Sequence, residues 1–481
     1  MLASSNRFSK TPPEASGLAP ASAALGAPTL ERGPRKATVL QLVFMTYAVV
    51  CSGAYGVEQM VSAAGPGLAL LVLLVLPVVY SVPISLACAE LTARFPVEGG
   101  YYRWARMAYG DFAGYTSGWL MWLASFATNA SVAVLFSNYL RHFTPGLSAA
   151  GQVLVSAAVV WFAVVMNYRG ISFVGTASVV FTVLILVPFG VMTLMGLMQW
   201  QHMPVQPFAN PDVPLATAAL GGLLIAMWLY GGFEKMTVTA EEVDRPSRSF
   251  PIALAIAVPL CASSYVLPTL AALAAHGNWR EWGEAHYVTA AATIGGPWLG
   301  AAMAAGALLS NVGILMATIL TQSRLPMVLA EDGLFPRAFE RRHPRFGTPV
   351  VSLLVAGVIL TALCTLPFAH LVGAAALVQS LSYLLVYAAL LKLRARPDKD
   401  GRRGFRIPLG RAGLSLMAAP SVLIVSLVIW AGLFPDGRLD GQQGLLGLAL
   451  LGSAPLTYRL LRRDARLAPC AVSQPATHSR A

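Results

Sequence analysis

The sequence predicts an all-α integral membrane protein. About twelve transmembrane helices are expected, as two inverted five-helix repeats with helices 1 and 6 broken, followed by two C-terminal helices. Three observations carry that expectation. The first is composition: of 481 residues, 56% are hydrophobic and only 11% are charged, and mean hydropathy is +0.65. A soluble domain carries roughly a quarter charged residues, so a soluble multidomain enzyme, a disordered regulator and a disulfide scaffold are all excluded. The second is the recurrence of apolar runs long enough, at roughly 20 residues, to cross a bilayer. The third is the placement of the basic residues along the chain.

The runs fall at 39–64, 68–93, 112–140, 150–168, 172–198, 215–241, 250–275, 298–324, 349–366, 369–391, 413–434 and 443–461. Residues 1–36, rich in Ala, Ser and Pro with no apolar core, read as a disordered tail rather than a cleaved leader. Repeat 1 is expected over 37–200 and repeat 2 over 201–392. A basic loop with the last two helices follows over 393–462, then a tail over 463–481.

The net charge of +12 comes from 33 Lys and Arg against 21 Asp and Glu. If each span crosses once and the N-terminus lies inside, every basic residue except Arg141, Arg280 and Arg438 falls on the inner side. Such an asymmetry supports both the span count and an orientation with both termini cytoplasmic, in the plasma membrane. The basic excess therefore reports topology and contact with anionic headgroups. A nucleic-acid partner is not expected, because the basic residues are scattered with little aromatic interleaving.

Two spans carry glycines at mid-membrane. The first reads Cys51-Ser52-Gly53-Ala54-Tyr55-Gly56 between apolar halves, and the sixth reads Trp228-Leu229-Tyr230-Gly231-Gly232-Phe233-Glu234. Glycine costs a helix about 1 kcal/mol, so both are expected to break, although close packing through small residues would give a similar pattern. Five spans separate the two, and an odd number inverts the second unit. The amides of Gly53, Ala54 and Tyr55 would then form a helix N-terminus able to bind a carboxylate. The carbonyls of Leu229 and Tyr230 would accept from an ammonium. Trp228 could give a cation–π contact.

Glu58 and Glu234 each lie about one turn past a break. Acids at this depth usually face the interior and act on substrate or protons, so both are proton-coupling candidates; a structural hydrogen bond holding the broken segment is the bland alternative. Glu90, Glu242 and Asp332, near inner ends, are gate candidates with Arg94, Arg245 or Arg324 as partners. Ser310, Asn311, Thr318 and Thr321 on the eighth span keep a sodium site open, but protons are the expected coupling ion and no cofactor is expected. The five Cys form no CxxC pair and read as core residues. The seven His show no ligand spacing and lie in predicted loops, tails or, for His370, at the very edge of a span, so no metal site is expected.

On these residues the chain resembles the amino acid–polyamine–organocation superfamily of transporters, in its amino acid permease and polyamine symporter branch, over roughly residues 38–460. The carriers are Ser52-Gly-Ala-Tyr-Gly-Val-Glu58 with Ala64-Gly-Pro-Gly67, Ala89-Glu-Leu91 with Phe95-Pro-Val-Glu-Gly-Gly-Tyr-Tyr102, Gly232-Phe-Glu234 with Ala240-Glu-Glu-Val-Asp-Arg-Pro246, and Ala330-Glu-Asp-Gly-Leu-Phe-Pro336 with Gly347-Thr-Pro349. The resemblance implies secondary transport by alternating access. It also implies substrate contacts at Ser52, Gly53, Ala54, Tyr55, Gly56 and Glu58, and at Trp228, Tyr230, Gly231, Gly232 and Glu234. Two departures matter. Polyamine-type members would carry an acid near Thr128-Asn-Ala-Ser131 and an Asn at Gly231. The expectation is therefore a proton-coupled importer of amino acids, with a polyamine or amine symporter, or an amino acid/amine exchanger, as the alternative. A membrane-embedded enzyme would need a catalytic cluster within the spans, and a channel or receptor a pore motif or ligand domain; the sequence offers none of these.

Overall fold

A computed structural model describes residues 36–51, 53–141, 143–283, 285–366, 368–395, 404–433 and 443–465. The predicted N-terminal tail up to residue 35, most of the basic loop at 396–403, the tail from 466, and the predicted site residue Ser52 lie outside the described residues.

The chain folds into helices because only a helix satisfies its own backbone in hydrocarbon. They are α1 (Val39–Val50), α2 (Val57–Ala64), α3 (Pro66–Leu76), α4 (Val82–Arg94), α5 (Tyr101–Tyr109), α6 (Asp111–Leu140), α7 (Ala149–Asn167), α8 (Ile171–Met198), α9 (Leu215–Leu229), α10 (Pro246–His276), α11 (His286–Gly295), α12 (Pro297–Glu331), α13 (Val350–Leu363), α14 (Phe368–Arg394), α15 (Arg411–Leu433) and α16 (Gln443–Ala465). A π-helical stretch, Pro77–Ser81, joins α3 to α4 into one span. Among the described residues no strand forms beyond two isolated bridges, Ala37 with Val243 and Arg342 with Pro349.

Among the described residues eight segments are long and apolar enough to cross a membrane, and shorter apolar helices stand at Val39–Val50, Leu215–Leu229, Val350–Leu363 and Leu448–Leu461. Two of the short ones, α1 and α9, end at the glycine clusters. The first span resumes as α2, whereas the sixth resumes as a 3₁₀ stretch, Lys235–Glu242, rather than the α-helix expected to 241. Span 8 also differs from expectation. It runs seven residues past 324, because Arg324 is buried and paired with Glu242 at 2.7 Å instead of ending the helix in water. Two helices were not expected from the sequence. α5 is short, with Tyr101, Tyr102, Trp104, Ala105 and Ala108 buried, and α11 lies in the connection between spans 7 and 8.

Packing follows the five-span offset. α1 (span 1) packs on α8 (span 5) as α9 (span 6) packs on α14 (span 10). α6 (span 3) packs on α14 (span 10) as α12 (span 8) packs on α8 (span 5). Spans 3 and 8 also touch each other; α15 packs on α14, α16 packs on α6 and α14, and α15 and α16 touch each other. Cys51, Cys88, Cys261 and Cys364 are buried free thiols, as the core reading expects; Cys470 lies outside the described residues.

Candidate functional site

Both glycine clusters interrupt their helices at buried positions. Gly53 (φ +103°) and Gly232 (φ +120°) adopt left-handed backbone that side chains with a Cβ rarely take. At Gly53 a Cβ would come within 2.9 Å of both the Ile185 and Phe189 side chains of α8, so the close approach of α8 also requires glycine there.

The two breaks meet. Val49, Val50, Cys51 and Tyr55 from the first span and Trp228, Leu229, Gly231 and Lys235 from the sixth line one cleft; α6 adds Thr128, Val132 and Leu135, α10 adds Tyr265, α12 adds Ser310, Asn311 and Ile314, and α14 adds Gln379. The hydroxyl of Tyr265 lies 2.9 Å from the Val50 carbonyl and 2.8 Å from the Leu229 carbonyl, so one proton is shared between the ends of the two interrupted helices. Thr128 Oγ1 and Asn311 Oδ1, both on the lining, are buried with no protein partner among the described residues.

Of the predicted contacts, Tyr55, Trp228 and Gly231 line the cleft, whereas Gly53, Ala54, Gly56, Gly232, Tyr230, Glu58 and Glu234 do not. Several predicted roles need correction. The Gly53 amide donates to the Tyr47 hydroxyl at 3.1 Å, and the Gly56 amide to Glu58 Oε2 at 2.7 Å. The anion-binding reading is thus confined to Ala54 and Tyr55, which lie between these two anchored amides. The Leu229 carbonyl is occupied by Tyr265. The Tyr230 hydroxyl donates to the Leu73 carbonyl at 2.7 Å, a bond that leaves the role expected of its own backbone carbonyl untouched.

The two acids are fully buried but differently held. Glu58 accepts from the Gly56 amide and, at 3.1 Å, from the Tyr139 hydroxyl of α6. It therefore does fasten the broken segment, as the bland alternative supposed. Glu234 Oε1 accepts from Tyr383 at 3.2 Å and from Gln379 at 3.5 Å, both on α14, while its Oε2 is buried without a protein partner among the described residues. Gln379 and Tyr383 are also bonded to each other. Lys235, next to Glu234 in the chain, contributes to the cleft lining. On span 8, Thr318 bonds Asn129 of α6, and Thr321 bonds the Thr318 carbonyl at 2.9 Å.

Ion pairs gather at the end of the bundle that carries most Lys and Arg. Arg324 forks onto both oxygens of Glu242, at 2.7 and 3.2 Å. Glu90 pairs with Arg394 at 2.9 Å and accepts from the Ile407 amide at 2.9 Å, not with Arg94, whose guanidinium lies over Phe95. Asp332 takes Arg103 and Arg106, and Arg342 bridges Glu98 and Glu331. Glu98, in the turn before α5, is pushed up to about 7, first by burial and then by the carboxylates of Glu242, Glu241 and Glu331, against the opposing pull of Arg342.

Tyr139, Tyr265, Gln379 and Tyr383 escaped the sequence reading, since each is an ordinary polar side chain within an apolar run. Among the described residues no group of three or more His, Cys, Asp or Glu could hold a metal ion.

Two interrupted helices meeting at a polar cleft inside a bundle of apolar spans define a membrane transporter. The chain belongs to the amino acid permease family, whose model matches residues 38–454. It is 34% identical over 420 residues to a probable polyamine transporter of Arabidopsis thaliana, covering 86% of each chain. A polyamine transporter of Oryza sativa subsp. japonica is 32% identical over 399 residues, covering 82% of this chain and 74% of the relative. An uncharacterized transporter of Mycobacterium tuberculosis is 29% identical over 423 residues, covering 86% and 89%. The protein is a multi-pass membrane transporter and not an enzyme.

Proposed function

We propose that this transporter is a proton-coupled secondary carrier of small organic amines, of the polyamine class, working by alternating access in the plasma membrane with both termini cytoplasmic. The observation that carries the reading is a buried carboxylate at each break, Glu58 beyond the first and Glu234 beyond the second. Carboxylates at membrane depth are costly and are kept where they meet cations or protons. The names of the plant relatives support amines over the amino acids expected from the sequence. The orientation rests on the one-sided placement of Lys and Arg.

One observation favours a second reading. One of the side chains lining the cleft is Lys235, whose amine is a cation when protonated. A lysine there opposes a multiply charged amine and suits the carboxylate of an amino acid.

A thermal-shift titration of the purified protein separates the two. Stabilisation grows as RT ln(1 + [L]/Kd), about 2.7 kcal/mol at a hundredfold excess over Kd. Putrescine or spermidine should raise Tm; a rise with zwitterionic amino acids alone would replace the amine reading with the amino acid one.

A further inference from the structure

At the end of the bundle opposite the ion pairs, the turn between α10 and α11 gathers two histidines. His276 is the last residue of α10 and His286 the first of α11, and their ring centres stand 5.8 Å apart with planes 32° from parallel. Both Nε2 atoms are buried and have no protein partner among the described residues. Trp282 stacks on His286 at 5.0 Å, and its own Nε1 is equally buried and unpartnered. His286 is only 5% exposed.

Two neighbouring buried imidazole nitrogens without protein partners among the described residues are what a metal ion can ligate. A transition metal sits about 2.0–2.1 Å from an imidazole nitrogen, which places two rings on one ion about 5–6 Å apart, centre to centre. We propose that His276 and His286 form a site for a divalent transition-metal ion of the Zn²⁺ or Ni²⁺ kind, both binding through Nε2, with water completing the coordination. Burial, and then the neighbouring His276, push His286 down to about 4, so its ring is neutral at pH 7, as a ligand must be. Sequence spacing hid the pair because ten positions separate the residues and a turn of the chain brings them together.

The site would act on transport through α11. Tyr287, next to His286, is hydrogen-bonded to Thr269 of α10 at 2.7 Å and packs on Phe189, which packs on Tyr55 of the first break. An ion joining the end of α10 to the start of α11 would fasten this chain of contacts and slow any rearrangement that needs α11 to move.

The test uses the full-length protein, stripped with a chelator and reconstituted. Zn²⁺ or Ni²⁺ alone should raise Tm saturably and slow uptake, with both effects reversed by chelator. His276→Ala and His286→Gln should leave metal-free uptake unchanged and raise the half-maximal metal concentration about tenfold or more. His202→Ala, at a residue packed on Gly277 but outside the pair, should respond as the parent does. No stabilisation of the parent protein by either ion would overturn the site. So would a response that survives in both His276→Ala and His286→Gln.

Discussion

The Tyr139 hydroxyl donates to Glu58 Oε1 across 3.1 Å, binding the C-terminal end of α6 to the short helix that restarts the first span. Glu58 thereby does two things at once: it holds the break closed, through Tyr139 and the Gly56 amide, and it keeps a carboxyl at the depth of the cleft. The two roles part under substitution. Glu58→Gln keeps the size and the acceptor oxygen but removes the charge, so uptake should fall more than tenfold while Tm shifts by no more than a lost hydrogen bond allows, about 1 kcal/mol. Uptake and pH dependence equal to those of the parent would assign Glu58 to structure alone.

The shared hydroxyl of Tyr265 predicts a different pattern. Tyr265→Phe leaves the Val50 and Leu229 carbonyls competing for no donor, in a buried place. An unsatisfied buried acceptor costs about 1–3 kcal/mol. Thermal unfolding in detergent should show that loss, together with weaker binding of whatever ligand stabilises the parent. A variant as stable as the parent would mean that the two breaks are held together by other contacts.

Gly231 offers a direct block. A Cβ there would lie 3.1 Å from Gln379 Nε2 and 3.3 Å from the Tyr383 hydroxyl, tight but without the left-handed backbone of Gly232. Gly231→Leu should fill the cleft wall, abolish ligand-induced stabilisation, and still give a protein that elutes as the parent does on size exclusion. Retained ligand response would remove Gly231 from the site.

Glu98 supplies a pH prediction outside the spans. Its folded-state value near 7 lies above the ordinary 4.5, so between those limits the folded protein holds a proton that the unfolded chain has released. Stability from this group is therefore complete below about 4.5, falls as pH rises through the window, and levels off above about 7, at a slope no steeper than about 1.4 kcal/mol per pH unit. Glu98→Gln should flatten the Tm profile between pH 5 and 7. An unaltered profile would place the titrating group elsewhere.

Much of this architecture was legible because hydrocarbon imposes its own grammar. Span length, the basic asymmetry and the paired glycine clusters are one-dimensional signals, and they give the twelve spans and both interruptions. The misses share a cause: tertiary pairing. Arg324 reads as the end of a span until Glu242 neutralises it, and Glu90 reads as a partner for the nearby Arg94 until Arg394 arrives from α14. The cleft was half legible. Tyr55, Trp228 and Gly231 were found because they flank the breaks. Lys235 was read only as a neighbour of Glu234, and Tyr265 and Gln379 come from helices whose sequence carries no mark. Gly53 was given a ligand role for an amide that its own hydrogen bond to Tyr47 already occupies.

The central claim is that this cleft carries small organic amines, driven by protons. Uptake of labelled putrescine and spermidine into proteoliposomes, with a proton gradient imposed in sodium-free buffer, tests it most directly. The account predicts concentrative uptake that collapses with a protonophore and is lost in Gly231→Leu. Uptake of amino acids but not amines, or amine uptake that ignores the protonophore and requires sodium, would contradict it.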